Sequence, residues 1–199
     1  MLFNPGPTAR PVEKIEVLLF KSAGWLFGSR TAEISGLARA YITPFAPTAR
    51  EKEQISLPPH LERAFLGWLK DKTVPVFRLD SLLDLETHER DLERVILTRY
   101  GPHSIGFAVE QVFEVQSVGL QQLELLPPLI ELALERPTVW VLLRLDATLN
   151  IGGQDTLRTN LQAGQLVTLL DFPGLFNSDE QIFLTNWLSQ PVNFAFSHK

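Results

Sequence analysis

The chain contains no cysteine, which excludes a disulfide framework, a thiolate metal site and a cysteine nucleophile together. Lysines and arginines are scattered singly and the net charge is −5, so no cationic stripe exists to neutralise phosphates and no nucleic-acid partner is expected. No apolar run approaches the roughly 18 to 20 residues of a membrane span. The opening MLFNPGPTARP lacks the basic-then-apolar build of a signal peptide. A cytoplasmic location without direct membrane insertion is the expectation. The histidines His60, His88, His103 and His198 include no pair at metal-ligand spacing, so neither a metal nor another cofactor is expected.

What remains is ordinary globular material. The 199 residues are 45% hydrophobic and 21% charged, enough for a core in one domain or in two small lobes. Four short constellations could carry chemistry, and each meets a plainer reading. Glu86-Thr87-His88-Glu89 reads as a solvated loop. Gly101-Pro102-His103-Ser104-Ile105-Gly106 lacks the spacing of a nucleophile elbow, and Pro102 suits a turn. Gly152-Gly153 has neither the Lys-Ser/Thr of a phosphate loop nor the glycine spacing of a dinucleotide site. Asp80 and Asp84 could approach one another on a helix, but no base, nucleophile or metal ligand stands beside them. No catalytic residue is assigned.

The clearest structural signal is RVILTRYGPHSIGFAVEQVFEVQSV, residues 94–118. Val95 to Leu97 form an apolar run, Tyr100 to His103 supply turn chemistry, and Ile105, Phe107 and Val109 alternate with Ser104, Gly106 and Ala108. A β-hairpin with one bulky and one small face follows. Gly106 inside a strand marks a bulge, a bend or a close approach. Val112, Val115 and Val118, spaced by three, suit a bulged continuation.

Taken in order, residues 1–13 form a proline-rich, flexible lead-in. Val17 to Phe20, a Ser22-Ala23-Gly24 turn and Trp25 to Phe27 make another hairpin. Thr31 to Ala40 fits a helical turn or a strand. Residues 43–59 read as a surface loop. Phe65 to Leu69 and Val74 to Leu79 flank a polar turn. A short helix ends at Pro137, Thr138 to Leu145 is a buried strand, and residues 146–164 form a long loop or extended hairpin. Ser178 can cap a last helix, with Gln181 three residues on as in a capping box.

Several of these stretches resemble CheW-like domains. In IGFAVEQVFEV, the residues Gly106, Val109, Glu110 and Val112 hold the family's G-hydrophobic-hydrophobic-V-D-x-V positions, with Glu110 in place of Asp. Phe20, Gly24, Phe27 and Gly28 match the family's opening hairpin. Gly67, Val74, Pro75, Val76, Leu79, Leu82 and Leu83 follow the order of its most characteristic segment. QLVTLLDFPGLF is similar to its closing strand. The likeness runs over about residues 15–190. The departures are a shortened turn at Lys70–Lys72, where the family carries Arg-Gly, a charge reversal at Arg78, and insertions at 43–59 and 146–164.

The resemblance implies an all-β fold of two SH3-like five-stranded barrels side by side with a short C-terminal helix. The CheW-like region would cover 14–176, as two lobes at about 14–85 and 92–176 that can interleave, and 177–199 would be helix and tail. It also implies a non-catalytic adaptor that couples a chemoreceptor to the regulatory domain of a CheA-type histidine kinase in chemotaxis or motility signalling. Partner contacts would fall at Gly67, Trp68, Val109, Glu110 and Val112, while Gly28, Pro75 and Gly106 would be structural. Core filling is the competing reading for Trp68 and Trp140. One rival function is a small-ligand sensory barrel lined by Trp25, Trp68 and Trp140. Another is a hydrolase built on His103 or His88.

Overall fold

In chain order, β1 (Lys14–Ser22) and β2 (Trp25–Arg30) lead through a 3-10 turn into β3 (Ile34–Arg39) and β4 (Ile42–Pro44). Next come α1 (Pro59–Ala64), β5 (Phe65–Leu69), β6 (Pro75–Arg78) and α2 (Leu79–Leu82), then β7 (Arg94–Tyr100), β8 (His103–Val109), β9 (Gln111–Gly119), β10 (Leu123–Glu124) and β11 (Val139–Arg144). The elements β12 (Leu149–Gly152), β13 (Arg158–Leu161), β14 (Leu166–Leu170) and α3 (Ser178–Ser189) follow. The computed structural model describes residues 13–44, 57–69, 74–85, 92–128, 130, 138–145, 149–152, 158–161 and 164–189. The lead-in before residue 13, the turn at Lys70–Lys72, His88, His198, most of the 43–59 insertion and most of the helix expected before Pro137 lie outside those residues.

Both expected hairpins form. β1 and β2 pair from Val17↔Arg30 to Ser22↔Trp25, across Ala23 and Gly24 at φ 50° and 80°. Two consecutive left-handed residues match the twist of the flanking strands. β7 and β8 pair from Arg94↔Val109 to Tyr100↔His103, with Gly101 at φ 58° in the turn. β9 runs against β1 with the expected irregularity: Leu18↔Val115 is followed by Phe20↔Val112, so three steps on β9 oppose two on β1. Thr31 to Ala40, open between helix and strand on sequence, is a 3-10 turn over Thr31–Glu33 and then β3.

Each hairpin is the centre of a sheet. The first has the order β10-β11-β14-β2-β1-β9, and the second, written the same way round, β4-β5-β6-β8-β7-β3. In both, a parallel strand lies beside the second hairpin strand, β14 on β2 and β6 on β8. The irregularities recur too. β11 slips between Val139 and Val141 against β14, and β5 slips between Phe65 and Gly67 against β6. Matched by register, Gly28 corresponds to Gly106, Leu169 to Val76 and Leu142 to Trp68. The second sheet is built from consecutive strands, whereas the first takes its hairpin from the start of the chain and the rest from after Glu110. Residues 14–85 and 92–176 therefore each contribute strands to both sheets.

The outermost strands of the second sheet, β3 and β4, are joined only by Ala40 and Tyr41. The link bends sharply, with the Tyr41 N–H donating to the Arg39 carbonyl at 2.8 Å and the Ile42 N–H to that of Ala40 at 3.0 Å. The sheet must therefore curl until its edges approach. β9 and β10 make the same bend through the 3-10 turn Leu120–Gln122. Counted as single bent strands, these pairs make each sheet a five-stranded, barrel-like unit.

Alternation along the strands divides the core into three. Val17, Leu19, Val141, Leu143, Val167 and Leu169 fill the curl of the first sheet. Val76, Val95, Ala108 and Leu69 fill that of the second. The opposite faces, with Leu18, Phe20 and Phe27 from one sheet and Ile96, Ile105, Phe107 and Phe77 from the other, meet in one large cluster. Phe172 joins them there, stacked on Phe107 at 4.8 Å between centroids. The bulky face expected for β8 is thus the face between the sheets, and the small face lines the curl.

α3 closes this central cluster with Leu184 and Trp187. Its capping box sits one residue earlier than the spacing of Ser178 and Gln181 predicts. The Asn177 Oδ1 accepts from the Glu180 N–H at 2.9 Å, and the Asn177 N–H donates to Glu180 Oε2 at 2.9 Å. Glu180 prevails over Gln181 because its other oxygen meets His60 Nδ1 at 3.0 Å in a buried site, where the His60 Nε2 also lies 3.2 Å from the Leu82 carbonyl. His60, an isolated histidine on sequence, thereby ties α1 to α2 and α3.

Candidate partner-binding surface

The chain crosses from the second sheet to the first at Val109-Glu110-Gln111, so the expected contact residues lie at the seam between the two units. Val109 is fully buried. Val112 is half-buried, packed on the central cluster opposite Phe20. Glu110 is half-buried too, and its roles are structural as well as positional. Its Oε1 accepts from the Gly24 N–H at 3.0 Å, and its own N–H donates to the Lys21 carbonyl at 3.0 Å. It therefore fastens the β1–β2 turn to the crossover.

Arg78, the residue of reversed charge, is neutralised locally. Asp80 accepts from Arg78 Nε at 3.0 Å and from Nη2 at 2.9 Å. That charge-assisted bond raises the guanidinium pKa, burial works against it, and Glu110 adds to it. Asp84 bonds Arg63 instead, at 2.9 Å, so Asp80 and Asp84 do not form a carboxylate dyad.

Gly67 and Trp68 lie elsewhere. Gly67 sits at φ 137°, a conformation that favours glycine, at the β5 irregularity. Trp68 is 5% exposed and packs against Phe65 and Trp187 at 5.8 and 5.4 Å. Core filling is thus its position, and it presents no exposed ring to a partner. Pro75 opens β6 opposite Trp68. A Cβ on Gly28 would come within 2.6 Å of Leu169 Cδ2, and one on Gly106 within 2.7 Å of Val95 Cγ1. Close approach is therefore what both glycines serve, and side chains rather than backbone do the crowding.

The three tryptophans of the ligand-barrel reading occupy separate places. Trp25 is 66% exposed at the end of a hairpin, Trp68 lies in the central cluster, and Trp140 packs at the margin of the first curl with the Arg30 guanidinium 4.2 Å above its ring. Two surface clefts are found elsewhere among the described residues, one of them against α3. One, of about 550 Å3, is lined by Thr31 to Ser35, Thr98, Arg99 and Pro173. The other, of about 400 Å3, is lined by Tyr100, Ser178, Gln181, Ile182, Thr185 and Asn186. Burial raises the Tyr100 pKa against the effect of a hydrogen bond with Thr185.

An ionic group not foreseen from sequence borders the first cleft. Arg30 pairs with Glu33 and lies 3.4 Å from Asp171, while Glu33 Oε2 accepts from Ser29 Oγ and the Phe172 N–H, each at 3.3 Å. The spacing of Arg30 and Glu33 was visible, but Asp171 is 141 residues away. Among the described residues no cluster of three or more metal-ligating side chains occurs, and no helix is long and apolar enough to cross a membrane.

Two curled sheets of matching topology, permuted in chain order and sharing a core at their seam, define a paired-barrel architecture. A family model for the CheW-like domain matches residues 16–180, and the chain belongs to that family. Among solved structures it is similar to the scaffolding protein TtCheW from Thermoanaerobacter tengcongensis, with a TM-score of 0.58 and 16% identity over 84% of this chain and 96% of that one. At that identity the match speaks for the fold. No curated protein matches the chain.

Proposed function

We propose that this protein is a non-catalytic cytoplasmic adaptor that couples a chemoreceptor to the regulatory domain of a CheA-type histidine kinase, in chemotaxis or another motility pathway. The observation that carries the reading is the CheW-like family match over residues 16–180. The functional unit is the CheW-like region of 14–176, with the helix and tail of 177–199 attached. Contact with a partner is assigned to the seam, through Glu110 and the exposed part of Val112. Val109 supports that surface from beneath, while Gly67 and Trp68 sit on β5, apart from the seam. Adaptors of this kind draw affinity from a few well-packed anchors rather than from total area.

Calorimetric titration with the isolated regulatory domain of each CheA-type kinase from the same organism tests the proposal. Micromolar or tighter binding is expected. A parallel titration with receptor signalling fragments tests the other half, because the turn at Lys70–Lys72 departs from the family there.

A further inference from the structure

The contact between His60 of α1 and Glu180 in the first turn of α3 is buried on both sides. The His60 Nδ1 lies 3.0 Å from Glu180 Oε1, and its Nε2 lies 3.2 Å from the Leu82 carbonyl oxygen. Both ring nitrogens thus face an acceptor. A neutral imidazole has one N–H to offer and its other nitrogen is itself an acceptor, so one contact would set lone pair against lone pair. Glu180 Oε2 already accepts from the Asn177 N–H. Satisfying every group therefore takes one proton more than a neutral imidazole beside a carboxylate holds, and its place is between His60 and Glu180. Charged groups on the neighbouring elements are engaged elsewhere or face solvent. Asp80 of α2 accepts from Arg78 and from the Ser81 N–H, Arg63 of α1 pairs at the surface with Asp84, and Glu62 and Asp179 are exposed. The Tyr100 hydroxyl donates to the Gln181 carbonyl at 3.2 Å.

We propose that the proton shared by His60 and Glu180 is a latch that holds α3 closed over the aromatic cluster of the second sheet. With the proton in place, the buried carboxylate has its counter-charge and the Leu82 carbonyl its donor. Trp187 then packs on Phe65 and Trp68, at 5.6 and 5.4 Å between centroids. When the proton leaves, a carboxylate stays buried without a counter-charge and a carbonyl faces a lone pair. Both costs disappear if α3 swings out and Glu180 reaches water. The closed form binds the extra proton, so closure is complete at acid pH and weakens as pH rises through the titration of the pair. Opening uncovers Trp68, which is 5% exposed under α3. The terminal helix is thereby a pH-sensitive cover on an apolar surface.

The test uses the full chain, labelled with nitrogen-15, in two NMR measurements between about pH 5.5 and about pH 9. Ring-nitrogen spectra should show the extra proton on the His60–Glu180 pair at the acid end, as an imidazolium or as a proton shared with the carboxylate, and its loss at the alkaline end. Amide exchange, corrected for its intrinsic pH dependence, should show protection of Phe183–Leu188 falling tenfold or more over the same range, while β8 amides keep theirs. His60→Gln and Glu180→Gln, which cannot share a titrating proton, should each flatten that pH dependence. Tyr100→Phe should leave it as in wild type, which separates the latch from the tyrosine hydroxyl. A neutral pair lacking the extra proton at acid pH overturns the proposal, as does pH-independent protection of α3 or a pH dependence that survives in His60→Gln. The wild-type spectra decide the question even if a variant folds poorly, and neither kinase nor receptor is needed, so the outcome is independent of the adaptor function.

Discussion

Replacing Gly106 with valine would force a side chain into the closed curl of the second sheet. A Cβ there would lie 2.7 Å from Val95 Cγ1 and 3.2 Å from Val76 Cγ2, and both valines are fully buried. Neither can swing into solvent. Gly106 has no left-handed backbone to lose, so the cost is steric, and the β-propensity of valine partly offsets it. Overpacking of this kind costs about 1–3 kcal/mol, which in a chain of this length lowers the melting temperature by about 2–12 °C. Urea unfolding followed by tryptophan fluorescence measures it directly. Two internal comparisons sharpen the test. Gly28→Ala should cost more than Gly106→Ala, because its Cβ would meet Leu169 at 2.6 Å and Val17 at 2.8 Å. Gly36→Ala should be neutral or stabilising, because its nearest neighbour would be Leu97 Cδ1 at 3.8 Å. A Gly106→Val protein melting within a degree of wild type would refute the packing argument, as would a reversed order of the two alanine variants.

Ala23 holds a left-handed position in a turn where asparagine before glycine is favoured, so Ala23→Asn should stabilise by about 1 kcal/mol in chemical denaturation. His60→Ala removes the buried partner of Glu180 and should destabilise by about 2–4 kcal/mol. Glu180→Gln, which keeps the shape and a hydrogen-bonding oxygen, should cost less in the same measurement. Residues 146–164 connect strands that already converge, since the Leu145 N–H donates to the Gln165 carbonyl at 3.0 Å. Replacing that segment with a short Gly-Ser turn should leave the calorimetric melting temperature within about 3 °C, and aggregation of the trimmed protein would show that the segment covers core.

The hairpins were legible because their information is local: period-two alternation on each side of glycine-bearing turns places β1–β2 and β7–β8 without tertiary knowledge. Gly106 was legible for the same reason, as a residue too small for its strand. The permuted arrangement was not, since the parallel pairing of β14 with β2 joins Thr168 to Phe27 and no local pattern records a partner so distant. The same distance hid the choice of Glu180 over Gln181, which depends on His60, 120 residues away. Trp68 shows the limit of reading a contact surface from family position. Whether an aromatic strand residue faces solvent or core is decided by what packs over it, here α3, and that is a tertiary fact.

On the proposed reading, the seam between the sheets serves a kinase partner. Its most direct test is the calorimetric titration of the full chain with the regulatory domains of the CheA-type kinases of its own organism. Saturable one-to-one binding, micromolar or tighter, to at least one of them is expected. Heatless titrations with every domain, matched by no complex in analytical ultracentrifugation, would contradict it and leave a CheW-like fold without an adaptor's partner.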